Sequence, residues 1–417
     1  MNLYRLELKR VCKTRMTAIL LAIALVLTVV MAYLPVTFIG WTELDASGNE
    51  VRYTGLKAIR KRQEQQVSGT ITPDVMQEAL EAYQRVYRQH DASSINDIPV
   101  EVFYKELARY QPLVNNAKEA FADLKTGMAP GVMGLTAEDM QNFYSQLPKR
   151  LESVIWLEQS GKPGYEQAQA IAQKKFDAVQ KPFTYSFGVS SDAMDYQTQL
   201  SLLLTLLCAV IAAPVFASDA QTGAQDIQLC TKNGGLRLAA AKLAAAFSIT
   251  GAAYLLCGVV WILVTNALFG WESTQTSVQW LFSVTSLLPY TVGQMEWVML
   301  VANFLIFFAE VAFVLMASVW AKNNLTALSV ALISVVAPLI VYMVVPGSFG
   351  EWLSTLIPAG GIGLSNALMY KMISFDFLYA GGHTFFQADV LLASAPIKIV
   401  LLVGLAAWGY LRKTKVA

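Results

Sequence analysis

"FASDAQTGAQDIQLCTKNGGLRLAAAK" occupies Phe216 to Lys242 and lies between two strongly apolar runs. The stretch holds three cations, two anions and a Gly-Gly pair near its centre. A polar interruption of this kind marks where a chain leaves an apolar solvent and re-enters it. The flanking windows, Thr198–Ala217 and Leu243–Leu268, identify that solvent. Each is nearly free of charge and has the roughly 20 residues needed to cross about 30 Å of hydrocarbon. Four further windows read the same way: Thr17–Trp41, Met295–Trp320, Leu325–Val345 and Ala393–Leu411.

Composition agrees. The 417 residues are 55% hydrophobic and 15% charged, with a mean hydropathy of +0.44. A soluble domain carries nearer about 25% charged residues. The expected fold is an all-α polytopic membrane protein with six transmembrane helices. The first apolar run exceeds the roughly 7–15 residues of a signal-peptide core, and no small-x-small site follows it, so it reads as an uncleaved anchor.

Cations set the orientation. Arg5, Lys9, Arg10, Lys13 and Arg15 precede the first span, and Arg412, Lys413 and Lys415 follow the last. Lys232, Arg237 and Lys242 lie between spans two and three, and Lys322 between four and five. The positive-inside rule makes these regions cytoplasmic, with both termini inside a bacterial cell membrane. The net charge of +1 conceals a separation. Residues 42–197 hold 21 of the 30 acids and 17 of the 31 cations, so this segment is net −4 and the remainder net +5. The basic membrane part suits contact with anionic membrane lipids. No basic patch interleaved with aromatics points to nucleic acid.

Residues 42–197 read as an extracytoplasmic, mostly helical domain. In "TPDVMQEALEAYQRVYRQH", Thr72 is an N-cap and Pro73 the first helical residue. Thr136 caps "LTAEDMQNFYSQL", with Glu138 and Asp139 in the first turn. "GYEQAQAIAQKKFDAV" adds a helix, and residues 101–124 add one or two more, broken near Pro112. Phe103, Tyr104, Phe121, Phe143, Tyr144 and Trp156 either fill the core of this domain or contact a substrate. No catalytic constellation appears among its carboxylates.

Cys12, Cys208, Cys230 and Cys257 all lie outside that domain, which therefore has no intrachain disulfide. With only His90 and His383, no histidine-rich metal site forms. Within the fourth span, Glu310 lies seven residues after Asn303, on one helix face. An ionisable residue there is a functional candidate by default. It either lines a transport path, pairs with Lys398, or is a neutral or hydrogen-bonded group between helices. Pro214 and Pro338 are expected to kink their spans.

The opening segment resembles the permease subunits of type-2 ATP-binding-cassette exporters. In that family the second span ends at an acidic residue, followed by a glycine, a short apolar helix, a turn, an arginine and a lysine. These correspond to Asp219, Gly223, the helix around Ala224–Leu229, the turn Lys232–Gly235, Arg237 and Lys242. "MNLYRLELKRVCKTR" looks like the family's interfacial elbow helix, with Leu3, Leu6, Leu8 and Val11 in the interface. "LLPYTVGQ" and "LIPAGGIGLSNALMYK" look like its outer re-entrant segments. The resemblance covers about 260 residues of the membrane part; the long outside domain departs from the minimal plan.

The resemblance implies an elbow at 1–16, a first span at 17–41, the outside domain at 42–197, and the remaining spans at 198–417 with a coupling loop at 218–242. It implies two copies of a cytoplasmic ATPase docked on that loop. Ile227 and Leu229 would enter a groove, and Asp219, Asp226 and Arg237 would contact its rim. A second permease, identical or homologous, completes the assembly. No GxxxxGK[ST] motif occurs, so this chain binds no cofactor by that device, and ATP and Mg belong to the partner. The implied function is outward movement of an amphiphilic drug, peptide antibiotic or lipid-like molecule, without covalent chemistry by this chain. The alternative is a membrane sensor or scaffold whose outside domain binds a ligand and signals through the loop. An intramembrane enzyme is the weakest reading, because no His/Asp or Ser/Lys pair is suitably placed in the spans.

Overall fold

The computed structural model describes residues 3–45 and 49–414. Met1 and Asn2 of the elbow reading, residues 46–48 of the outside segment and Lys415 of the closing cation cluster lie outside the described residues. The chain is mostly helical, with three short two-stranded pairings among the described residues. Among the described residues six helices are long and apolar enough to cross a membrane: Arg15–Phe38, Ser191–Thr222, Leu236–Phe269, Val292–Trp320, Asn324–Val344 and Gln387–Lys413. They are called the first to sixth spans below. Ile19, Val26, Ile333, Val400 and Leu401 are exposed on their outer faces. Together these residues form an apolar belt that needs a non-aqueous surrounding.

The apolar windows locate all six helices, but several helices overrun them. Hydropathy marks where hydrocarbon contact ends, whereas capping side chains decide where a helix ends. Ser190 Oγ accepts from the Ala193 amide at 3.4 Å and starts the second span well before Thr198. Thr291 and Gln294 form a capping box at the start of the fourth. Asn323 Oδ1 accepts from the Thr326 amide at 2.8 Å to start the fifth. The first span errs the other way. It stops at Phe38, and Trp41 belongs to an antiparallel hairpin of Gly40–Leu44 with Glu50–Thr54.

The second span bends where Pro214 interrupts its hydrogen-bond ladder. Ser318 of the fourth span inserts its hydroxyl there. It donates to the Ala213 carbonyl at 2.6 Å and accepts from the Phe216 and Ala217 amides at 3.1 Å. The bend thereby fastens two spans together. After the fifth span a helix, Gly347–Leu356, is followed by a loop that packs on the middle of the fourth span. At Gly361, φ is +91° and a Cβ would lie 2.9 Å from Ile306 Cδ1, so glycine alone fits.

The domain between the first two spans contains helices Leu56–Gln65, Pro73–Gln89, Gln111–Ala120, Phe143–Gln159 and Tyr165–Asp177. Thr72 caps the second of these as expected. The break expected near Pro112 falls earlier. Residues 103–110 form a wide π-type turn and a tight 3-10 turn, and Pro112 sits in the first turn of the next helix, where its missing N–H costs nothing. Phe143 is fully buried, and Phe103, Tyr104, Phe121 and Tyr144 pack against the core. Trp156 does not belong to this core: it is exposed on the outer face of its helix.

The loops before the fourth and sixth spans seat the domain on the bundle. Trp280 stacks on Phe143 with ring centroids 6.4 Å apart. Glu119 accepts hydrogen bonds from Ser283 Oγ at 2.5 Å and the Val284 amide at 3.2 Å. Burial pushes the Glu119 carboxyl above its ordinary value, although both donors favour the charged form. The hairpin Phe377–Ala380 with His383–Phe386 grips the other side. There Gln159 Nε2 donates to the Phe375 carbonyl at 2.6 Å, and Thr384 Oγ1 to the Gly164 carbonyl at 3.1 Å.

Candidate functional site

Two ends of the bundle can now be distinguished. The domain end carries residues 40–45 and 49–190, and the basic end carries the N-terminal helix Leu3–Cys12 and the loop between the second and third spans. At the basic end the second span continues through Asp219 to Thr222, where Gly223 at φ +72° turns the chain. A short helix, Ala224–Leu229, follows. The return to the third span passes Gly234, where a Cβ would lie 1.7 Å from the Gln228 carbonyl oxygen. The turn therefore closes tightly on the short helix.

Ile227 projects from this hairpin and is 74% exposed. Asp226 and Arg237 are also exposed, and Arg237 Nη1 donates to Asn233 Oδ1 at 3.3 Å. Leu229 is half-buried and packs against the hydrophobic core. A water-facing isoleucine flanked by charges is a surface that gains from being covered: burying it contributes roughly 1.5–3 kcal/mol before association costs.

Asp219 and Lys242 are placed differently from the expectation. Asp219 does not lie on a rim and Lys242 does not face a docking partner: both are buried, Lys242 completely. Lys242 Nζ donates to Asp219 Oδ2 and lies 3.5 Å from Glu7 Oε1. Arg10 Nη1 donates to Asp219 Oδ1 at 2.8 Å, and Arg10 Nη2 to the Val215 carbonyl at 2.9 Å. Arg10 Nε also lies 2.8 Å from Glu7 Oε2, as a charge contact. Two acids and two bases from three segments thus cancel. They tie the N-terminal helix to the root of the hairpin. Tyr4 adds a bond further along, its hydroxyl donating to Ser248 Oγ at 3.0 Å. Arg5, Lys9, Lys13, Arg15, Lys232 and Arg237, on the same segments or beside them in sequence, are exposed.

Inside the spans, Glu310 is fully buried and Asn303 nearly so. Of the readings open for Glu310, the pair with Lys398 does not form among the described residues within 4 Å, whereas a hydrogen bond to the neighbouring span does. Ser334 Oγ of the fifth span donates to Glu310 Oε1 at 2.5 Å. Lys398 Nζ instead donates to the Thr355 and Ile357 carbonyls at 2.9 and 3.2 Å. Those carbonyls close the helix Gly347–Leu356, where a cation meets the negative end of the helix dipole.

Three charged groups carry more than the sequence suggests, Glu7 and Glu296 buried and Arg10 half-buried. Arg10 reads from the sequence only as one of the cations before the first span and Glu7 carries no signal there, although their i, i+3 spacing offers a pair to the Asp219 and Lys242 side chains. Glu296 lies one residue beyond the start of the apolar window, where a carboxylate reads as a wet helix end, yet it is fully buried. Among the described residues, no group of three or more His, Cys, Asp or Glu side chains could hold a metal ion. A scan against protein-family models finds no match to this chain, and a search of curated proteins finds none either.

Proposed function

We propose that this chain is the permease subunit of a type-2 ATP-binding-cassette exporter in a bacterial cell membrane. One observation carries the reading. The hairpin after the second span exposes Ile227 at its tip, while its root is locked to the N-terminal helix and the third span through Asp219 and Lys242. A lever needs both properties: a handle that a partner can hold, and a rigid joint to the part that must move. Two cytoplasmic ATPase subunits, carrying ATP and Mg, would each hold one such handle in a pair of permeases. Closure of the ATPase pair would draw the handles together and rock the spans. The N-terminal helix would act as the interfacial elbow, and both termini would be cytoplasmic. The substrate class that suits this arrangement is an amphiphile moved outward.

The test uses the full-length chain co-expressed with its genomic ATPase neighbour. Ile227→Asp with Asp226→Lys should release the ATPase in a pull-down, while the permease still elutes as a monodisperse peak. Retention of the ATPase at wild-type stoichiometry overturns the reading and favours a sensor or scaffold. Orientation is tested separately in intact cells. A cysteine at Ser93, exposed in the domain, should react with an impermeant maleimide, whereas Cys12 and Cys230, exposed at the basic end, should not.

A further inference from the structure

A cavity of about 320 Å³ opens at the domain end, lined by Asn266, Trp271, Thr274, Gln294, Glu296 and Trp297 among others. It joins the end of the third span to the start of the fourth. Two of its lining residues are inaccessible to water: Glu296 is fully buried and Asn266 is 1% exposed. Asn266 spends both amide N–H groups, donating to the Ile262 carbonyl at 2.9 Å and to Glu296 Oε2 at 2.7 Å. Its amide orientation is fixed by those partners, since a flip would set oxygen against oxygen at both. Glu296 Oε1 and Asn266 Oδ1 remain buried without a hydrogen-bond partner. Beside them, Gln197 Nε2 donates to the Glu296 backbone carbonyl at 3.0 Å, and Gln197 Oε1 is unpartnered as well.

All three orphaned atoms are acceptors, and one belongs to a carboxyl group. Buried polar atoms are almost always hydrogen-bonded, so a cluster of unmet acceptors specifies its complement. That complement is rich in N–H and carries positive charge. Phosphate, carboxylate and neutral acceptor groups are the wrong sign. Trp271 and Trp297 supply the aromatic part of the lining beside the polar Thr274, Gln275, Thr291 and Gln294, and both are about half exposed. Indole faces attract organic cations and shelter the carbon attached to them. A bare metal ion would make no use of two indoles and would prefer about six oxygen ligands.

We propose that this cavity binds an organic ammonium group, with Glu296 and Asn266 accepting its N–H bonds and Trp271 and Trp297 flanking its carbon skeleton. The site concerns binding by this chain alone and stands whether or not the chain transports anything.

The experiment titrates the purified full-length protein, in detergent micelles, with 2-phenylethylammonium chloride and with 2-phenylethanol. The pair share a shape and differ in the ammonium. Calorimetry should show the ammonium binding at least about tenfold more tightly, the scale of a charge-assisted hydrogen bond. Glu296→Gln should remove that preference, and Trp297→Ala should weaken the ammonium roughly threefold or more. Equal binding of the two probes, or an undiminished preference in Glu296→Gln, overturns the proposal. So does thermal protection by sodium or calcium chloride where the ammonium gives none, because the site would then take an inorganic cation. Should Glu296→Gln fail to fold, the wild-type comparison and Trp297→Ala, at the exposed mouth, still decide.

Discussion

The two ends of the bundle handle buried charge in opposite ways. At the basic end Glu7, Asp219 and Lys242 are buried, the half-buried Arg10 covers them, and the four charges cancel. Towards the domain end and mid-span, Glu296 and Glu310 are buried with hydrogen bonds but no ion-pair partner among the described residues, and each keeps one unpartnered oxygen. A compensated set is a joint: it holds only while every member is present. An uncompensated carboxyl can take a proton or a ligand, and so marks where chemistry or binding enters. The difference separates the part of this molecule that must be rigid from the part that can respond.

The largest expected effect comes from breaking the joint. Lys242→Met leaves two acids facing Arg10 alone, and removing one partner of a buried pair costs about 3–5 kcal/mol. The expected result is a chain that aggregates in size-exclusion chromatography or loses the N-terminal helix to proteolysis. Lys242→Met combined with Asp219→Leu should recover much of the loss, because the remaining charges again cancel. A well-behaved Lys242→Met single variant would show that the cluster is not a joint.

Glu310 should respond more weakly. Glu310→Gln keeps an acceptor for the Ser334 hydroxyl and introduces no charge, so thermal unfolding in micelles should change little. Glu310→Ala removes the bond between the two spans, leaving the Ser334 hydroxyl only the Ala331 carbonyl at 2.8 Å, and opens a void, with an expected loss of about 1–3 kcal/mol. Transport that fails in Glu310→Gln while folding is intact would place this carboxyl on the substrate path. If transport survives in both variants, Glu310 is a structural hydrogen bond between the fourth and fifth spans.

Much of the bundle was legible because a bilayer imposes length and apolarity on each helix separately, and both are local properties of sequence. Polar pairing is not local. Asp219 and Lys242 were read as neighbours of a loop, but their burial depends on Arg10 and Glu7, more than 200 residues away. Glu310 and Lys398 carry opposite charges, so a pair stands among the readings the sequence allows. Its absence reflects the Thr355 and Ile357 carbonyls, which reach Lys398 only because the chain folds back after Pro346. The hairpin at Trp41 escaped notice for another reason: an apolar window continues through a strand as readily as through a helix. Trp156 was grouped with core aromatics on composition, and only the packing of its helix shows which face it takes.

The smallest expected effect concerns a third kind of buried acid. Glu119 has no ion pair within 4 Å among the described residues, but two donors from the loop before the fourth span reach it. Burial raises its folded value above the ordinary carboxylate value, so the folded protein holds a proton that the unfolded chain has released. Stability from this group is therefore fully present below the unfolded value and is lost as pH rises through the folded one. Glu119→Gln keeps the carbonyl acceptor and cannot titrate. It should flatten the fall in stability as pH rises above the ordinary carboxylate range, and match or exceed the parent at the upper end, by about 1 kcal/mol or less. Differential scanning fluorimetry across that range reads the slope directly. If the parent instead gains stability through this window and Glu119→Gln abolishes the gain, the two donors outweigh burial. Glu119 would then be a charged anchor between domain and bundle, closer in kind to Asp219 than to Glu296.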